Sequence, residues 1–215
     1  MSVHITGGKG RLEVICGSMF SGKTEELMRR LKRAEYAKQN VLTVKHRIDN
    51  RSANHSCILS HEGRERVAFA IDENVNSLEK VLELANKNID VVGLDEVQFF
   101  PTGIIDVIFQ LLEKGKRVIA AGLDLDFRGE PFGVIPLLLA TADEVTKLKA
   151  ICVKCGKEAH HSQRIINGKP ANYDDPIIFV GAAESYEARC RDCFVIDKPA
   201  QLNHFIARKE KETSI

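Results

Sequence analysis

Short apolar runs alternating with amphipathic stretches dominate the first 149 residues. "RLEVICG" (11–17) reads as a strand that ends at a glycine. "TEELMRRLKRAEYAKQN" (24–40) follows, with Leu27, Leu31 and Ala34 at helical spacing. Its Glu25 and Glu26 fall in the first turn and its basic residues later, which suits a helix dipole. The cluster Arg29, Arg30, Lys32, Arg33 is balanced by acidic neighbours and reads as a solvated helix face. "VLTVK" (41–45) is a second strand, and "VNSLEKVLELANKN" (75–88) a helix with Asn76 or Ser77 as its cap. "IDVVGLDE" (89–96) is almost continuously apolar, as a strand buried on both faces of a parallel sheet must be. "TGIIDVIFQLLEKG" (102–115) predicts a helix closed by Gly115, and "RVIAAGLD" (117–124) another buried strand. Such alternation predicts an α/β layer with a parallel sheet, its ligand loops along the edge where the strands end.

The pattern changes after "VTKLKA" (145–150). Residues 150–195 carry turn signals, paired cysteines and only short strands such as "PIIFVG" (176–181). A segment this poor in apolar residues builds little core, and a bound metal would explain how it folds. The expected organisation is therefore an α/β domain over 1–149, a small second domain over 150–195, and a charged tail over 196–215.

Composition narrows the partners. A formal net charge of +1 supplies no global pull toward nucleic acid or an anionic membrane surface. No apolar run approaches the roughly 18 residues of a membrane span. The opening "MSVHITGGKGR" lacks the apolar stretch of a secretory signal, so a cytoplasmic location is the expectation. In a reducing compartment the six cysteines are not a disulfide framework. Four of them form two C-x-x-C pairs, Cys152/Cys155 and Cys190/Cys193, whose thiolates suit a tetrahedral Zn²⁺ with no open position, hence a structural one. The 34 residues between the pairs exceed common zinc-ribbon spacing and predict a structured excursion. Cys16 reads as a small buried hydrophobe, and nothing around Cys57 argues for a nucleophile.

The sharpest local signal is "GSMFSGKT": Gly17, Ser18, Met19, Phe20, Ser21, Gly22, Lys23 and Thr24. A glycine loop between a strand and a helix turns its N–H groups toward phosphate oxygens. Lys23 would contact the β- and γ-phosphates and the Thr24 hydroxyl would ligate Mg²⁺. Such a loop requires an acidic residue at the tip of a neighbouring strand, and Asp95 is that candidate; Glu96 beside it is placed to accept a proton from a hydroxyl or water. An Asp-Glu pair by itself serves an ATPase as well as a kinase. A nucleoside-monophosphate kinase fits less well, since it expects an arginine-rich lid in mid-chain. A nucleic-acid-binding zinc module expects basic residues around the cysteines, where "NYDDPIIFVGAAESYE" is acidic and apolar.

Four stretches in one order, "GSMFSGKT", "DEVQFF", "GLDLDFRGEPFG" and the cysteine pairs flanking "DDPIIFVGAAESYEARC", resemble the zinc-containing type II thymidine kinase family of bacteria over roughly residues 11–195. The resemblance implies an α/β, P-loop NTPase-like (RecA-like) parallel sheet with a small C-terminal zinc-binding lasso domain. It implies transfer of the ATP γ-phosphate to the 5′-hydroxyl of thymidine or deoxyuridine, with Mg²⁺ accompanying ATP. Gly17 to Thr24 match the phosphate loop, Asp95 to Gln98 the magnesium and nucleotide segment, Glu96 the general base, and Asp49 and Arg51 a segment near the phosphates. The nucleoside side matches Phe127, Ser162, Ile177, Ile178, Phe179, Val180, Gly181 and Tyr186, and Met19 and Leu123 are further candidates for the pocket. Phe99 serves equally as pocket or core. The extended 177–181 segment would pair its backbone with a pyrimidine edge. A homotetramer and feedback inhibition by dTTP are implied as well. The chain departs from the family's usual pattern at "KHR" (45–47) and over 52–60.

Overall fold

The computed structural model describes residues 9–47, 57–59, 65–72, 75–178 and 184–197. Asp49, Arg51, Phe179, Val180 and Gly181 lie outside these described residues.

In chain order the first layer comprises β1 (Arg11–Cys16), α1 (Lys23–Tyr36), β2 (Val41–His46), the short β3 (Cys57–Leu59) and β4 (Glu65–Val67), β5 (Phe69–Ile71), α2 (Val75–Leu84) and β6 (Val91–Asp95). After a 3₁₀ turn at Val97–Phe99 come α3 (Ile104–Glu113), β7 (Arg117–Gly122), α4 (Ile135–Thr141) and β8 (Glu144–Lys147). Six strands pair in the order β5-β2-β6-β7-β1-β8, every pair parallel. Side-chain alternation along β1 sorts the two faces. Leu12, Val14 and Cys16 join the larger core with residues of α2, α3 and α4. Ile15 joins the smaller one with Leu27, Leu31 and Ala34 of α1.

The strands and helices predicted over 11–17, 24–40, 41–45, 75–88, 89–96, 102–115 and 117–124 are all present, observed at 11–16, 23–36, 41–46, 75–84, 91–95, 104–113 and 117–122. Three details differ. β6, which carries Asp95, is not adjacent to β1; β7 lies between them. Helix α2 begins at Val75, so neither Asn76 nor Ser77 caps it, and Ser77 instead donates to Asp72 from inside the first turn at 2.5 Å. Finally, β3, β4, β5, α4 and β8 were not anticipated: the first three are three residues each, α4 is only seven residues long, and β8 is an edge strand with alternate residues half-covered.

Helix α1 also corrects the reading of its basic face. Arg29 is solvated, but Arg30 is only 8% exposed. It donates to Glu13 at 2.6 Å, Glu26 at 2.8 Å, Thr146 at 2.7 Å and Glu144 at 3.1 Å. Arg117 reaches the same Glu13 carboxylate at 2.7 Å. Burial raises the Glu13 carboxyl, yet its bonds from Arg117 and Arg30 outweigh that and hold it below its ordinary value.

The second layer is small and antiparallel. β9 (Ala150–Ile151) pairs with β10 (Glu158–Ala159), and β11 (His161–Ile166) pairs with β12 (Lys169–Pro170) and β13 (Glu184–Arg189). Of the predicted strand at 176–181, the described residues 176–178 form no strand; the strand that pairs with β11 is 184–189. The buried cluster here is Ala150, Cys152, Ala159, Ala188 and Cys190, with Cys193 packed against it. Small side chains of this kind bury little apolar area, so the cysteines must supply the cohesion.

Candidate active site

β1 ends at Cys16, and the loop 17–22 leads straight into α1. Gly17 has φ +145°, and a Cβ there would lie 2.3 Å from the Leu148 carbonyl oxygen. Only glycine lets the loop pass this close to the chain leaving β8. The turn is braced from inside: Ser21 Oγ and Lys23 Nζ both donate to the Ser18 carbonyl at 2.8 Å. At the first turn of α1, the Thr24 hydroxyl donates to Asp95 Oδ2 at 3.2 Å. Thus the loop and the tip of β6 meet despite the strand between them.

Glu96 follows Asp95 in a left-handed backbone conformation, φ 54° and ψ 41°. A non-glycine residue held there costs about 1–2 kcal/mol, and such strain gathers at functional sites. Its N–H donates to Asp95 Oδ1 at 3.0 Å, and its Oε2 accepts from Gln98 Nε2 at 2.7 Å.

Beside this edge lies a cavity of about 420 Å³. Lys23, Thr24 and Glu96 line it. Met19, Phe99, Leu123, Phe127, Phe132, Ser162, Ile177 and Tyr186 line it as well, so the structure brings most of the predicted nucleoside residues together with the glycine loop. Phe99 and Phe132 meet edge to face at 5.4 Å. Ser162 ties the halves: its Oγ accepts the Met19 N–H at 2.9 Å. Ile178 does not line the cavity, nor does Gln98.

Sequence reasoning missed five wall residues, Glu25, Leu125, Asp126, Phe132 and Arg164, and two of them carry charge into buried positions. Arg164, 1% exposed, lies over the Phe127 ring with its guanidinium carbon 4.0 Å from the centroid. It donates to the Tyr186 hydroxyl at 2.8 Å, to the Pro176 carbonyl at 2.5 Å, and to the Ile177 carbonyl. It therefore binds residues 176–177, midway along the inter-cysteine excursion, to β11 and β13. Nothing local distinguished it from a surface arginine. Asp126 is buried and lines the same cavity; burial raises its carboxyl, against backbone N–H donors of Glu130 and Arg128. The motif "GLDLDFRGEPFG" contained Asp126 and Phe132 but did not say which of its residues face inward.

The four cysteines converge. The sulfur atoms of Cys152, Cys155, Cys190 and Cys193 all lie within 4.8 Å of one another. Metal–sulfur bonds of about 2.3 Å in a tetrahedron set sulfur separations of about 3.8 Å, so the donor set fits zinc. Both pairs sit on tight turns, with Gly156 N–H donating to Cys152 O at 2.9 Å and Phe194 N–H to Cys190 O at 3.0 Å. Burial raises the Cys152 thiol, but backbone donors at Cys190, Lys154 and Cys155 bring it down to about 6, whereas bonds to the Cys155 and Cys190 sulfurs push Cys193 up to about 12. Cys16, by contrast, is pushed up to about 11 by burial and then by Asp124, which leaves it an inert core thiol.

A parallel α/β sheet whose glycine loop and Glu96 line one cavity, joined in one chain to a four-cysteine knuckle, is the layout expected of an α/β kinase. The family model described as thymidine kinase matches residues 10–194, and the chain belongs to the thymidine kinase family. It is accordingly an enzyme whose substrates are thymidine and a nucleotide phosphate donor.

Proposed function

We propose that the protein transfers the γ-phosphate of ATP to the 5′-hydroxyl of thymidine, and of deoxyuridine, giving the 5′-monophosphate and ADP in pyrimidine deoxynucleotide salvage. The observation that carries this reading is the shared cavity: Lys23, Thr24 and Glu96 line the same space as Phe127, Ser162 and Tyr186. A nucleoside seated among the aromatic side chains would point its sugar toward the glycine loop.

The N–H groups of residues 17–24 and the α1 N-terminus would hold the phosphates, with Lys23 leaving Ser18 O to reach the β,γ-oxygens. Thr24 and Asp95 would hold Mg²⁺, which neutralises phosphate charge when bound. Glu96 accepts the 5′-hydroxyl proton as O5′ bonds to the γ-phosphorus; the bond from that phosphorus to the β,γ-bridging oxygen breaks and its electron pair leaves with ADP. Walls of Phe99, Leu123, Phe127 and Phe132 keep water from taking the acceptor's place. Asp49 and Arg51 belong to the donor side on this reading, and Phe179 to Gly181 to the nucleoside side. Zinc on the four cysteines is structural. A cytoplasmic homotetramer inhibited by dTTP completes the reading.

The test is ATP-dependent phosphorylation of a panel of deoxynucleosides by zinc-replete protein, with Glu96→Gln alongside. Thymidine and deoxyuridine should be the preferred acceptors. Loss of Glu96 should lower turnover by about two orders of magnitude while ADP binding persists. Zinc-loaded protein that phosphorylates neither pyrimidine nucleoside would reject the proposal, and a Glu96→Gln variant with near-normal turnover would reject the base.

A further inference from the structure

Within the Asp95–Gln98 segment Glu96 lines the cavity, whereas Gln98 does not, and the surroundings of Gln98 are built around it. It is 3% exposed. Its Oε1 accepts the Leu123 N–H at 3.0 Å, just beyond the end of β7. A backbone N–H can only donate, so this bond orients the amide, and Nε2 must face the Glu96 carboxylate, 2.7 Å away. Two glycines make the room. A Cβ on Gly122 would lie 2.4 Å from Gln98 Oε1, and one on Gly133 would lie 2.2 Å from the Gln98 carbonyl oxygen. Neither glycine lines the cavity, so Gln98, rather than a substrate, accounts for the space they leave.

Glu96 needs such support. Its left-handed backbone is held by the Phe99 N–H on its carbonyl at 3.1 Å and by Asp95 on its N–H, but these bonds do not set the side-chain torsions. Gln98 does. We propose that Gln98 is a positioning residue for phosphoryl transfer: it clamps one carboxylate oxygen of Glu96 and ties the tip of β6 to the tip of β7, so that the base keeps a fixed distance from the Leu123 floor. It acts through Glu96 and does not touch the donor nucleotide. The inference rests on the thymidine kinase reading above.

A double-mutant cycle tests it. Gln98→Met should lower kcat with thymidine by about 10- to 50-fold, with thymidine KM and ADP affinity within about twofold of the unmodified enzyme. In a Glu96→Gln background the same change should cost less than about threefold, because the group it positions is already gone. Gln98→Glu is the second variant: it keeps the shape and the Leu123 bond but sets a carboxylate against Glu96, and its kcat should fall at least as far. Additive losses across the cycle would overturn the proposal. So would weakened ADP binding with kcat unaltered, which would put Gln98 on the nucleotide. Turnover of the unmodified enzyme with thymidine, measured alongside, separates either result from a failure of the functional reading itself.

Discussion

Replacing Arg164 by methionine should weaken thymidine binding far more than it weakens the protein. The substitution removes a guanidinium that is 1% exposed and bonded to the Tyr186 hydroxyl and to the carbonyls of Pro176 and Ile177. A hydrogen bond from a charged donor contributes about 1.5–3 kcal/mol, and a desolvated cation–π contact such as that with Phe127 about 2 kcal/mol. Against these stands the burial of the guanidinium itself, which costs several kcal/mol and disappears in the variant. Ile177 is partly exposed, so water can satisfy its carbonyl when Arg164 is gone. The opposing terms leave the net stability change near 1–2 kcal/mol. Binding has no such offset. Phe127 and Tyr186 lose the group that sets their spacing, and residues 176–177 lose their anchor to β11. The expectation is a rise in thymidine KM of about 10- to 100-fold, equivalent to about 1.4–2.8 kcal/mol, with ADP affinity unchanged. Steady-state kinetics with varied thymidine, together with ADP titration, measure both quantities. A thymidine KM within twofold of the unmodified enzyme would refute the reasoning, and equal weakening of both ligands would show general loosening instead.

Two further outcomes follow from the knuckle and the ion network. Zinc removal by a strong chelator should abolish thymidine binding while the parallel sheet keeps its helical circular dichroism, because the buried residues of the knuckle are small and those of the sheet are not; simultaneous loss of both signals would contradict this. The Glu26 carboxyl is held at about 2 by the Arg29 bond first, with burial opposing and Arg30 adding, against an ordinary value of 4.5. A folded-state value depressed in this way contributes stability above the unfolded value that is lost as pH falls from about 4.5 toward about 2. Glu26→Gln should therefore flatten the acid limb of the stability profile in that window and leave pH below about 2 unchanged; denaturant melts across pH give the comparison.

Much of this molecule was already decided by local sequence. A glycine loop between an apolar strand and an amphipathic helix, an Asp-Glu pair ending a continuous apolar run, and two C-x-x-C turns are features of adjacent residues, and their spacing carries their meaning. The parallel sheet was legible for a similar reason: its strands are buried on both faces, so each announces itself without its neighbours. Edge strand β8 and the seven-residue α4 bury one face only and gave no such signal. What tertiary structure alone decided are the pairings of charges and polar groups over long separations. Arg30 read as solvated because arginines are seldom buried unpaired, yet its partners Glu13 and Glu144 lie 17 and 114 residues away. Gln98 became a support for Glu96 because the end of β7, 25 residues on, supplies the Leu123 N–H. Arg164 became part of a wall because β11 and β13 bring it against Tyr186. Burial of a polar group depends on partners that no window of sequence contains, and these supporting residues are determined by the fold.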